Sequence, residues 1–97
     1  MVSEKVILPN RLGLHMRPAG VFCKEALKHS CEIKIKKGNH TANGKSILSI
    51  LALQIRYMNE FEICCNGNEE EEVLHALVEL VKSGLGDPPE EVETGKI

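Results

Sequence analysis

Ninety-seven residues, 42% of them apolar, make one domain around one core and rule out a two-domain nucleotide-binding enzyme. That core must be aliphatic: only Phe22, Tyr57 and Phe61 are aromatic and Trp is absent, so a base-stacking surface lacks its materials. The formal charge of -2 gives no global reason to bind nucleic acid or an anionic membrane, but it is unevenly spread. Residues 1 to 60 hold ten Lys/Arg against four Glu, whereas residues 61 to 97 hold two against ten acidic residues, so an anionic partner should meet the first part of the chain.

Glu4 to Leu8 alternates in polarity and stops at Pro9-Asn10, which predicts a first strand. From Pro18 to His29 the apolar positions Ala19, Phe22, Cys23, Ala26 and Leu27 share one helical face. Cys31 to Lys36 alternates again, and Gly38-Asn39 turns into a short strand near His40 to Ala42, a hairpin. Ser46 is placed to cap a second helix over Ile47 to Arg56 that is apolar nearly all round. Glu60 to Cys65 predicts a fourth strand with Phe61, Ile63 and Cys65 inward. Glu69 to Lys82 predicts a third helix whose glutamate-rich start and Lys82 end complement its dipole. The order βαββαβα implies an α+β domain, a four-stranded antiparallel sheet with three helices on one face, over residues 1–86. The polar, proline-interrupted residues 87–97 are expected to form a flexible tail.

The four cysteines, Cys23, Cys31, Cys64 and Cys65, lack zinc or disulfide spacing and are read as reduced apolar fillers. No signal-peptide core and no run of membrane-spanning length is visible, so a cytoplasmic location, without membrane attachment, is expected. His29, His40 and His75 show no ligand spacing and no metal is expected.

The stretch Asn10-Arg11-Leu12-Gly13-Leu14-His15-Met16-Arg17-Pro18-Ala19 brings a histidine and an arginine to the start of a helix. Unsatisfied N-H groups and the dipole favour an anion there, and Pro18 is tolerated because those donors lack intrahelical acceptors. Imidazole is a nucleophile near neutral pH, and a guanidinium fork can brace phosphoryl oxygens. Gly13 should let the backbone approach a partner closely. A lone histidine at a helix start is more often a cap or a surface residue; Arg17 and Pro18 beside it favour the chemical reading.

Gly-Leu-His-x-Arg-Pro-Ala, with Asn-Gly-Lys-Ser-Ile about thirty residues on, resembles the HPr family, the histidine-containing phosphocarriers of the bacterial phosphoenolpyruvate-dependent sugar phosphotransferase system. The resemblance covers about residues 3 to 86 and implies that family's open-faced β-sandwich. It implies that His15 accepts a phosphoryl group on Nδ1 from phosphorylated enzyme I and passes it to a histidine of a sugar-specific IIA component, with Arg17 stabilising the group. The carrier would need no cofactor, and would be a monomer. Ser46, physically sufficient as a helix cap, matches the serine that an HPr kinase/phosphorylase modifies in many bacteria, a modification tied to a catabolite-control transcription factor. Docking would involve Gly13, Met16, Pro18, Gly20, Lys24, Lys45, Ile47, Leu48 and Leu51. Arg11, Lys24 and Lys45 would be solvated charges that also attract acidic partners. A mainly regulatory HPr-like protein and a nitrogen-related phosphotransferase carrier are the alternatives. Met16 and Leu12 depart from the small or polar residues usual at their places. Residues 54 to 58 lack the family's common glycines, which predicts a turn of another kind.

Overall fold

The computed structural model describes residues 1–87; residues 88–97 of the expected tail lie outside the described residues. The elements are β1 (Val2–Ile7), α1 (Met16–Ala26), β2 (Glu32–Lys37), β3 (His40–Asn43), α2 (Ile47–Ala52), β4 (Glu60–Asn66) and α3 (Glu70–Lys82), in the order the sequence predicts.

The strands form one antiparallel sheet in the order β1-β4-β2-β3. Its register sets Val6 opposite Phe61 and Ile35 opposite Ile63, so Val6, Ile33, Ile35, Phe61, Ile63 and Cys65 fall on the same face. These side chains join Phe22 of α1, Ile50 of α2 and Leu77 and Val81 of α3 in a single buried cluster. All three helices therefore lie on one side. The other face is largely polar, Ile7 and Cys64 apart: Glu62 stands opposite both Lys5 and Lys36 and accepts a hydrogen bond from Ser3 Oγ at 2.8 Å.

All four cysteines are buried and form no disulfide. Burial pushes the Cys65 thiol up to about 12 and also raises that of Cys64, so neither is a poised thiolate.

The helix ends depart from the expected bounds where tertiary contacts intervene. α1 begins at Met16, two residues early, and stops at Ala26 with Leu27 as its cap. α2 is six residues long instead of ten, because Gln54 takes a left-handed conformation (φ 52°) just after the Leu53 cap. Ile55 still reaches the core, but from a loop. That loop is held by backbone bonds: Ile55 O accepts from Leu14 N at 2.9 Å, and Leu8 O accepts from Met58 N at 2.9 Å.

Glycine is missing from residues 54 to 58, yet the turn still uses positive φ, at Gln54 and at Met58 (φ 68°). A left-handed non-glycine residue costs about 1–2 kcal/mol. Exposed Met58 is thus a site of removable strain. Met58→Gly should raise stability by about 0.5–1 kcal/mol, net of glycine's larger entropy loss on folding. The check is a higher urea midpoint at unchanged m-value.

Candidate functional site

His15 is the N-cap residue of α1, with extended backbone (φ −86°, ψ −170°) and no side-chain capping hydrogen bond. Its carbonyl accepts the first helical bond, from Ala19 N at 3.0 Å, while its imidazole is not used to cap the helix and its side chain keeps 36% of its surface exposed. Met16 and Arg17 occupy the first two helical positions, where N-H groups have no intrahelical acceptor, and buried Pro18 occupies the third. Local sequence thus yields the anion-receptive helix start the motif predicts.

Ahead of His15, Gly13 (φ 81°) donates its N-H to Asn10 O at 3.0 Å. A Cβ on Gly13 would come within 3.3 Å of Ile55 O. The close approach that needs glycine is therefore to the chain's own 53–59 loop, whereas the sequence suggested approach to a partner. Together these segments line a cleft of about 400 Å³ that includes His15, with Arg11, Arg56 and Tyr57 among its walls. Arg56 and Tyr57 stand in the stretch that lacks the family's common glycines.

The residue that sequence reasoning missed is Asp87. Assigned to the tail, it is instead buried in the site, with its side chain wholly shielded from solvent. Its Oδ1 accepts from Arg17 Nε at 3.0 Å, and its Oδ2 accepts from the buried Asn10 Nδ2 at 2.6 Å. Asn10 Nδ2 also donates to Gly84 O at 2.9 Å, tying the loop before His15 to the end of α3. His15 Nε2 lies 3.5 Å from Asp87 Oδ2.

The other predicted positions are spread along α1 and α2, which pack against each other. Ser46 caps α2, its Oγ accepting from Ser49 N at 3.3 Å. Ile47 and Leu51 are half-buried against the core, whereas Leu48 is 77% exposed, as the all-round apolar pattern requires. Gly20 opens to solvent, with nothing within 4 Å of the place a Cβ would take. Met16 and Leu12 are exposed. Lys24 is exposed in the last turn of α1. Lys45, expected to be solvated, instead donates from Nζ to His29 O at 2.6 Å. It satisfies a carbonyl beyond the end of α1 and joins that end to the start of α2. His40 and His75 are exposed, and His29 Nε2 pairs with Glu25 Oε2 at 2.9 Å. Among the described residues no group of three or more His, Cys, Asp or Glu is placed to hold a metal ion. No helix of these residues is long and apolar enough to cross a membrane.

Residues 2–83 match the family model described as the PTS HPr component phosphorylation site. The chain is 35% identical over 83 residues to the phosphocarrier protein HPr of Borreliella burgdorferi, an alignment that covers 86% of this chain and 96% of that protein. The crystal structure of HPr-C-His from Thermoanaerobacter tengcongensis superposes with a TM-score of 0.86 at 36% identity, over 91% of this chain and 99% of the other. Crh of Bacillus subtilis, described as a swapped dimer, superposes with a TM-score of 0.70 at 30% identity, over 87% of this chain and 97% of the other.

Proposed function

Since the chain belongs to the HPr family of phosphocarrier proteins, we propose that His15 relays a phosphoryl group from phosphorylated enzyme I to a histidine of a sugar-specific IIA component. The observation that carries this reading is the imidazole at the N-cap of α1, left out of capping, with Arg17 two residues on. The Nδ1 lone pair attacks phosphorus as the donor's P-N bond breaks, and the electron pair of that bond returns to the donor histidine. The helix-start N-H groups and Arg17 stabilise the charge on the transferring group. The product phosphoramidate is labile enough to be handed on, and the carrier requires no cofactor.

Exposed Met16, Lys24 and Leu48, with the partly exposed Gly20, Ile47 and Leu51 on the same two helices, support a docking face shared by successive partners, to which buried Pro18 contributes only by holding the helix start. Gly13 and Lys45 serve that face indirectly, by fixing the loop before His15 and the junction of α1 with α2. We take the working state to be a cytoplasmic monomer, with the swapped dimer a property of the Crh relative.

The test is incubation of the protein with phosphoenolpyruvate and enzyme I, followed by addition of purified IIA components. An acid-labile gain of about 80 Da, one phosphoryl group, that disappears when a IIA component is added is expected. A protein that gains no mass would sink the relay.

Ser46 supports a second, regulatory reading, because a phosphate at the start of α2 would add charge beside the docking face. With ATP and the HPr kinase, an acid-stable adduct absent from Ser46→Ala is expected. Removing the cap should cost that variant about 0.5–1 kcal/mol of stability, read by thermal denaturation.

A further inference from the structure

After α3 the chain reverses through three successive residues of positive φ, Gly84 (96°), Leu85 (52°) and Gly86 (79°), and Asp87 N donates to Gly84 O at 3.0 Å. Leu85 is fully buried, so packing holds this strained turn. Its result is a shielded carboxylate between Asn10 and Arg17. Burying a carboxylate is costly unless it is paired and hydrogen-bonded, and these two donors supply that compensation. The third group facing it is different. His15 Nε2 is buried and has no hydrogen-bond partner among the described residues, and Asp87 Oδ2 stands 3.5 Å away.

A neutral imidazole carries its single proton on one nitrogen, and a carboxylate beside one ring nitrogen favours the proton there. Resting on the relay reading above, we propose that Asp87 is a positioning residue for phosphoryl transfer: it holds the His15 proton on Nε2 and so leaves the Nδ1 lone pair directed outward.

The transfer balances on this scheme. Nδ1 forms the new N-P bond, the donor's P-N bond breaks with its electron pair going to the donor nitrogen, and Nε2 keeps its proton throughout. The ring then carries the positive charge of an N-phosphorylated, N-protonated imidazole. The Asp87 carboxylate faces that charge at Nε2 as it develops, which favours the product and the transition state leading to it. Onward transfer reverses these steps. Arg17 is held through Nε by the same carboxylate.

A purely structural Asp87 would staple the α3 end to the α1 start without setting the tautomer, and the nitrogen spectrum separates the two roles. In uniformly nitrogen-15-labelled full-length protein, at a pH where the ring is neutral, the wild type should show mainly Nε2-protonated His15. Asp87→Asn should shift His15 toward Nδ1-protonation and lower the turnover of phosphoryl acceptance by about tenfold or more. The KM for phosphorylated enzyme I should stay within about twofold, since Asp87 is buried away from the partner. Asp87→Glu should restore part of both.

An unchanged tautomer in Asp87→Asn, whatever its rate, overturns the proposal while leaving the relay standing. So does a wild type whose His15 is mainly Nδ1-protonated, a result that needs no variant to fold. A wild type that accepts no phosphoryl group from enzyme I defeats the relay itself and this role with it.

Discussion

His15→Ala should accept no acid-labile phosphoryl group from enzyme I, a loss of at least about a thousandfold against the wild type. The side chain makes no capping bond, so its removal should leave the fold and the Tm within a few degrees of wild type. Loss of transfer then reports the missing nucleophile and not a missing helix. No other described histidine shares that setting: His40 lies in β3 and His75 within α3, both exposed and neither at a helix start, and His29 is paired with Glu25. Arg17→Ala should differ in kind. A hydrogen bond to a charged group contributes about 1.5–3 kcal/mol, so acceptance should persist but slow by about 10- to 150-fold. The measurement for both is the mass-shift time course with enzyme I and phosphoenolpyruvate.

The largest stability effect should come from Phe22→Ala. Phe22 is 1% exposed, the largest of the fully buried side chains, and sits on the face of α1 that also buries Ala19, Cys23 and Ala26. A phenylalanine deleted from a packed core costs about 3–5 kcal/mol, against a total of about 5–15 kcal/mol for a natural domain. At about 4–8 °C per kcal/mol for a domain of this size, Tm should fall by roughly 12–40 °C. Because α1 carries His15 at its start, the variant should also transfer phosphoryl groups more slowly at temperatures where it remains folded. Differential scanning calorimetry checks the first expectation, and transfer kinetics below the new Tm check the second.

What could be read in the sequence follows from where the forces are local. The alternation of Ile33 and Ile35, and of Phe61, Ile63 and Cys65, set both the strands and their inward face, since a one-residue slip would expose them all. The i, i+3, i+4 spacing of Ala19, Phe22, Cys23 and Ala26 did the same for α1. The end of α2 was not legible, because Ile55 satisfies a helical apolar period yet reaches the core from a loop whose bonds go to Leu8 and Leu14.

Within the site, His15, Arg17 and Pro18 were legible because the chemistry of a helix start is local. Asp87 was not. It precedes two prolines and two glutamates, a composition that reads as tail, and only the folded chain brings its carboxylate within 3.5 Å of a residue 72 positions earlier. Lys45 was misread for a similar reason: its acceptor, His29 O, lies on the far side of the β2-β3 hairpin in sequence.

The central claim, that His15 is the phosphoryl acceptor, is tested most directly by locating the bond. Wild-type protein treated with enzyme I and phosphoenolpyruvate should be studied by phosphorus and nitrogen NMR. The account predicts a single phosphoryl group bonded to His15 Nδ1 and released on acidification. Phosphate found only on Ser46, or on any residue other than His15, would contradict it.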